Sequence, residues 1–492
     1  MAAAAAASVP MSLTASAEPA PTVAQRAPFR SAAEAGPFVC DARIDGKIPE
    51  WLRGDLVRTA PAVFERTDPA SGRTFRARHW FDALGLLYGF RVGDGGVKFR
   101  QRLMATEVEV EARGGRTPTA SFGSPIERSF WRRLIEPRPR VTDNVNVNVI
   151  ALGDERVAMT ESSHQWAFDP DTLALTRRVA YDDRLGAMTM IAHPHFDFAR
   201  GVVVNLGVEL GPASAVVVYE HAPTSRTRRV VGRVPLRRVP YVHAFGLTPR
   251  HAVIIGHPLT VSPLSLLWSN RGFIDHFQWR PETGTTLWLV DRASGQVRTH
   301  QAPPGFVFHV VNAFEAGADT VLDVALYPDA GIVDALRSEP LARGGLPPLT
   351  PAIVRYTMTP GREHAAVETV LARGFEFPSI AYRTRNGQRH AASWGTRIDA
   401  GLRSSVIRLD AGGAVRTHAD ADFVFGEPIF VARPGAREED AGALLVVGSH
   451  RHEDRSQLRI LDAATLEPLA TAEAPLPLPL GFHGSFFRDA HQ

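Results

Sequence analysis

Histidine is the side chain that most often binds divalent metal ions, and it does so as a neutral imidazole. Four histidines of this chain sit in apolar, glycine-punctuated stretches rather than on charged surface segments. They are His193 in Ile-Ala-His-Pro-His, His243 in Val-His-Ala-Phe-Gly, His309 in Phe-His-Val-Val-Asn and His483 in Gly-Phe-His-Gly. Four imidazoles without a thiolate or carboxylate would leave a bound ion its full charge. The gaps between them are 50, 66 and 174 residues, unlike the short spacings of zinc fingers and metalloprotease helices. The chain holds 18 histidines, so spacing alone leaves two readings open for each: a ligand, or a core histidine satisfied by hydrogen bonds.

The elements that must position these residues read as strands. Residues 201–206, 215–219, 252–255 and 443–447 are short β-branched or aliphatic runs bounded by glycine, proline and polar turns. A degenerate unit recurs, in which a strand runs into an aspartate, a small-residue turn and a second strand. It is centred on Asp169, Asp291, Asp410 and Asp462. Repeated hairpins of this kind are the sequence signature of propeller blades, although the period here is irregular.

The motifs carry a more specific signal. The run 46–54 (Gly-Lys-Ile-Pro-Glu-Trp-Leu-Arg-Gly), Arg58-Thr59-Ala60-Pro61, His79-Trp80-Phe81-Asp82, Thr142-Asp143-Asn144, the run 426–431 (Gly-Glu-Pro-Ile-Phe-Val) and the four histidine contexts fall in one order along residues 36–489. In that order the chain resembles the carotenoid cleavage oxygenase family. The resemblance implies an all-β, seven-bladed propeller with a cap of loops and short helices over an iron site. In such a fold the inner strands of all blades converge on one axis, so ligands far apart in sequence can meet around one ion.

The same resemblance implies Fe(II) held by His193, His243, His309 and His483, with His193 rather than His195 as the ligand of its segment. Glu161, Glu376 and Glu427 match the family's glutamates, which would orient the ligands by accepting their second ring N–H. Glu315 follows the third ligand closely and receives no role. Four ligands on a six-coordinate metal leave two positions for dioxygen or water. The implied reaction is cleavage of a conjugated C=C bond of a carotenoid or apocarotenoid by O₂, giving two carbonyl products, with the polyene held in a dry apolar tunnel.

Other readings share these motifs. A non-oxidative isomerase or hydrolase acting on a retinoid-like ester could use the same iron site, and a propeller could serve as a scaffold alone. The scaffold reading does not explain why every histidine and glutamate motif is intact. A stilbene substrate is disfavoured, because Arg100-Gln101-Arg102 leads into Leu103 where stilbene-cleaving relatives carry tyrosine, and no lysine follows Lys98. The motifs sit nearer the branch of animal carotene oxygenases and the retinoid isomerase. Against that branch, the chain lacks a Pro-Asp-Pro-Cys motif before Thr142 and has Ala83 where glycine usually follows the aspartate. If that position required φ > 0, alanine would be strained.

Composition fits a sizeable single catalytic unit. The chain has 492 residues, 44% of them hydrophobic, and a formal charge of +3; length alone allows two or three domains, and the resemblance implies one propeller domain over residues 36–490. Cys40 is the sole cysteine, which excludes an intrachain disulfide and suits a reducing, cytoplasmic location. The basic residues are nearly all arginine, with lysine at 47 and 98 only, and no basic run interleaved with aromatics suggests nucleic acid. No protein partner is implied. Residues 1–35 are rich in alanine, serine and proline and are expected to be a disordered tail. They carry neither the basic nor the apolar region of a signal peptide, and no apolar run long enough for a transmembrane helix exists. A lipophilic substrate implies peripheral membrane contact, with 258–268 and 129–135 as the candidate surfaces.

Overall fold

The computed structural model describes residues 26–489, apart from 94, 139, 187 and 188. Seven antiparallel sheets of four or five strands follow one another along the chain and form a seven-bladed propeller. Both chain ends lace the ring shut. Strand Gly484–Arg488 pairs with Gly54–Val63 on the axial edge of the first sheet, and strand Arg43–Gly46 pairs with Pro468–Ala474 on the outer edge of the seventh.

Apolar residues on both faces of each sheet pack against the neighbouring blades. Val253, Ile255, Leu287 and Leu289 of the fourth blade meet Leu322, Val324 and Val354 of the fifth, all of them buried. The second and third blades are joined in the same way through Val157, Met159 and Val203. Sheets buried on both faces lose their clean alternation, which is why strands such as 443–447 read as continuous apolar runs.

The recurrent aspartate unit is the hairpin between the third and fourth strands of a blade. Asp291 accepts the backbone N–H groups of Ala293 (3.0 Å) and Ser294 (2.7 Å), and Asp462 those of Ala464 (3.0 Å) and Thr465 (2.9 Å). Asp169 closes its turn similarly on Asp171 and Thr172. A short side chain that bonds its own backbone two or three residues on is what fixes these turns.

Insertions between strands build the cap, which holds helices Glu107–Arg113, Phe130–Ile135, Gly331–Ala335 and Ser338–Gly344. The His79–Asp82 segment ties the cap down. His79 donates from Nε2 to the carbonyl of Val333 (2.9 Å) and accepts the N–H of Phe81 at Nδ1 (3.1 Å). Asp82 accepts from the backbone of Phe122 (2.6 Å) and Gly123 (2.8 Å) and from Ser124 Oγ (2.7 Å). Ala83 has φ −61° and ψ 138°, so this turn needs no left-handed residue and alanine fits without strain. Asn144 and Asn146 complete the knot by donating to the Ala83 carbonyl at 2.9 and 3.0 Å.

Of the tail expected over 1–35, residues 1–25 lie outside the described residues. Within the remainder, Pro28, Phe29 and Ala33 are buried. Phe29 is fully buried between Phe64 and Trp80, with ring centroids 5.6 and 5.5 Å away. The N–H of Leu480 reaches the Pro28 carbonyl at 2.8 Å. One aromatic anchored by partners far along the chain leaves no local periodicity to read.

Candidate metal centre

Each blade contributes one residue to a single axial cluster. His483 precedes the axial strand of the first blade, and Glu161 follows strand Glu155–Met159 of the second. His193 lies in the break between strands Thr189–Met190 and His195–Asp197 of the third, and His243 precedes Gly246–Leu247 of the fourth. His309, Glu376 and Glu427 lie on the axial strands Phe306–Ala316, Glu376–Ser379 and Phe423–Ala432 of the last three. Register shifts occur at 307–310, 376–379 and 425–428. A bulge re-aims the side chain beside it, and these three turn His309, Glu376 and Glu427 toward the centre. Phe377 adopts a left-handed φ of 54°, a costly conformation for a non-glycine residue, and its ring lies against those of His309 (5.4 Å) and His483 (5.5 Å).

The four imidazoles converge. Their ligand atoms all lie within 4.8 Å of one another; Nε2 of His193 stands 3.1 Å from Nε2 of His243, and Nε2 of His309 stands 3.0 Å from that of His483. The opposite ring nitrogens of three of them face carboxylates. His243 Nδ1 is 2.5 Å from Glu161 Oε1, His309 Nδ1 is 2.5 Å from Glu376 Oε2, and His483 Nδ1 is 2.7 Å from Glu427 Oε1. An ionised carboxylate only accepts, so each of these Nδ1 atoms carries the proton and each Nε2 presents a lone pair. Lone pairs aimed at one another across about 3 Å are repulsive unless a cation sits among them. Adjacent nitrogens of an octahedral ion with bonds of about 2.1 Å lie about 3 Å apart, so the donor set fits a divalent transition metal.

The electrostatics keep His193 and His483 neutral. Burial, followed by the neighbouring histidines, holds His193 and His483 well below the ordinary imidazole range. Burial also pushes Glu427 up to about 7, against the pull of Arg58, whose guanidinium is fully buried 3.3 Å from the carboxylate. Tyr241 donates to Glu161 Oε2 at 2.8 Å, and burial beside that anion keeps its phenol protonated. The roles of Arg58, quoted only as part of a motif, and of Tyr241 escape a motif-level reading because their partners lie 369 and 80 residues away.

His195, the alternative ligand of its segment, faces away from the cluster. Its Nδ1 is 2.9 Å from Asn386 Oδ1 and its Nε2 is 2.9 Å from the Phe245 carbonyl. Glu315 belongs to a separate network with Thr248 (2.6 Å) and Arg250 (2.6 Å). The space beside the cluster is walled by Trp80, Phe81, Phe308, Phe377, Leu349 and Phe482.

Residues 29–488 match the family model described as retinal pigment epithelial membrane protein, RPE65. The chain belongs to this family, the carotenoid cleavage oxygenases. Among curated relatives, the mitochondrial carotenoid-cleaving dioxygenase of Mustela putorius furo is 27% identical over 94% of this chain and 96% of its own length. The chloroplastic carotenoid cleavage dioxygenase 8 homolog A of Oryza sativa subsp. japonica is 30% identical, covering 90% of this chain and 84% of its own. The apocarotenoid-15,15'-oxygenase of Synechocystis is 27% identical over 90% and 92%. Among solved structures, cobalt-substituted Synechocystis apocarotenoid oxygenase superposes with a TM-score of 0.79 at 23% identity, covering 93% of this chain and 98% of that one. That likeness establishes the shared propeller.

Proposed function

We propose that this protein is a non-haem Fe(II) dioxygenase that cleaves a conjugated C=C bond of a carotenoid or apocarotenoid, adding one atom of O₂ to each carbon to give two carbonyl products. The observation that carries the reading is the convergence of four imidazole ligand atoms in a pocket walled by aromatic and aliphatic side chains. His193, His243, His309 and His483 would hold the iron, while Glu161, Glu376 and Glu427 would fix the tautomers of three of them. Ferrous iron supplies, when bound, the redox chemistry that makes dioxygen reactive toward an electron-rich double bond. The chain's own contribution is to hold one double bond beside the cluster, exclude water and orient the ligands through the three glutamates. The curated relatives are named for cleaving carotenoids or oxygenating apocarotenoids, and one neighbour accepts cobalt, which supports both the substrate class and the metal site.

Peripheral contact with a membrane belongs to the same reading, because polyenes dissolve in lipid. Trp131 and Ile135 are 71% and 80% exposed, and Leu264 and Trp268 are 75% and 54% exposed. The two segments adjoin, since the Trp268 N–H donates to the Pro137 carbonyl at 2.9 Å. A joined apolar patch of this kind, with no helix among the described residues able to cross a bilayer, supports an interfacial surface rather than a span.

The test is the visible spectrum of an apocarotenal in detergent micelles, incubated with Fe(II)-loaded protein with and without O₂. Bleaching that requires oxygen and yields two carbonyl products is expected, and His309→Ala should lose both iron and bleaching. Conversion without oxygen uptake would replace this reading with the isomerase one. Full iron binding by His309→Ala would remove the four-histidine assignment.

A further inference from the structure

The exposed apolar patch is bordered by a surface cleft of about 740 Å³. Leucines 210, 236, 264, 266 and 267 supply much of its wall, and Leu264 belongs to both the cleft and the patch. Two cations stand among these leucines, Arg138 and Arg237. The Arg138 guanidinium lies against the bare backbone of Gly211, where a Cβ would come within 3.2 Å of its Nη2.

Neighbouring arginines are already engaged. Arg132 and Arg140 pair with Glu136 at 3.6 and 3.7 Å, and Arg128 donates to the carbonyls of Glu136, Arg138 and Ser269. Arg138 and Arg237 have no carboxylate partner among the described residues. Exposed arginines gain little from isolated surface pairs, but two free guanidiniums beside a hydrocarbon wall complement a ligand that joins a phosphate to acyl chains. The planar guanidinium fork matches phosphate oxygens in pairs.

We propose that this cleft binds the phosphate headgroup of an anionic phospholipid, with the acyl chains running over Leu264 and Leu267 into the apolar patch. The proposal rests on the membrane reading above and adds lipid selectivity to it. The lipid charge would hold the protein at one orientation, with the patch in the hydrocarbon and the arginines at headgroup level.

The test is flotation of the full chain with vesicles of phosphatidylcholine alone or doped with phosphatidylglycerol. The wild type is expected to bind both and to bind doped vesicles about fivefold or more tightly, an increment that fades with salt. The double variant Arg138→Gln, Arg237→Gln should keep its binding to neutral vesicles and lose the increment. Arg362→Gln with Arg416→Gln removes the same charge from other exposed positions and should leave the increment in place. Equal binding of the wild type to both vesicles, or equal loss in the two double variants, overturns the cleft while leaving the membrane reading intact. Binding to neither vesicle overturns the membrane reading itself. Soluble glycerol phosphate should not displace the protein from doped vesicles; displacement would make the occupant a free phosphate and overturn the lipid assignment.

Discussion

Nε2 of His195 stands 2.9 Å from the carbonyl oxygen of Phe245, two residues beyond His243. Because His195 itself lies two residues beyond His193, this one bond pins two ligand-bearing segments to each other across neighbouring blades. Asn386 holds the other ring nitrogen at 2.9 Å and is itself fixed by donating to the Phe196 carbonyl at 3.0 Å. His195→Leu is therefore expected to weaken metal affinity by about ten- to a hundredfold, the range for outer partners of ligands. Metal retained per chain after dialysis against graded chelator measures it, and unchanged retention would show that the bridge does not set the ligand geometry.

The glutamates should separate by what else they hold. Glu427 stands 3.3 Å from the fully buried Arg58 and also accepts the Gly484 N–H at 3.1 Å; among the described residues no arginine pairs with Glu376. Glu427→Gln would strand a buried cation and is expected to cost about 3 kcal/mol of stability in the metal-free protein. Glu376→Gln should cost about 1 kcal/mol or less while weakening metal binding as much as Glu427→Gln does. Urea unfolding of both metal-free variants, set beside their metal affinities, distinguishes them; equal stability losses would mean that Arg58 does not depend on Glu427.

The histidine and glutamate motifs were legible because each is a short local run that resembles the family's, while their apolar setting alone left a core histidine equally open. The strands and their aspartate turns were legible for the same reason, since Asp291 and Asp462 bond their own backbone. What brings the cluster together was not, because the bulges at 307–310, 376–379 and 425–428 and the left-handed Phe377 are imposed by tertiary packing. Phe29, which reads as part of a featureless tail, is anchored by Phe64 and Trp80. The segment at 129–135 was ambiguous for a different reason. Its apolar residues would suit a core or an interface, and only the fold decides that Trp131 and Ile135 face outward.

Close approach at the last ligand gives a further prediction. A Cβ on Gly484 would meet the Val57 carbonyl oxygen at 2.6 Å and Arg58 Cγ at 2.5 Å. The strand pairing that closes the ring runs through this point, with Gly484 opposite Arg58. Gly484→Ala should therefore cost about 1–3 kcal/mol by overpacking and move His483 off the other three imidazoles. Denaturant titration with metal analysis checks both effects, and a fully stable, metal-replete variant would show that the closing strand can shift to accept the methyl group.

The cap gives a prediction in pH. Burial holds His79 down to about 3, and its two ring nitrogens are fixed as one acceptor and one donor, so the folded protein keeps it neutral. In the unfolded chain an ordinary imidazole protonates near pH 6.5. Between these values the unfolded state binds the extra proton, so stability is complete above the unfolded pKa and falls as pH drops. The loss from this residue alone should reach about 2 kcal/mol by pH 5. His79→Gln keeps a donor for Val333 without the titration, so its urea midpoint should fall less than that of the wild type between neutral pH and pH 5. Parallel losses in the two proteins would show that acid acts elsewhere than on the His79 hinge of the cap.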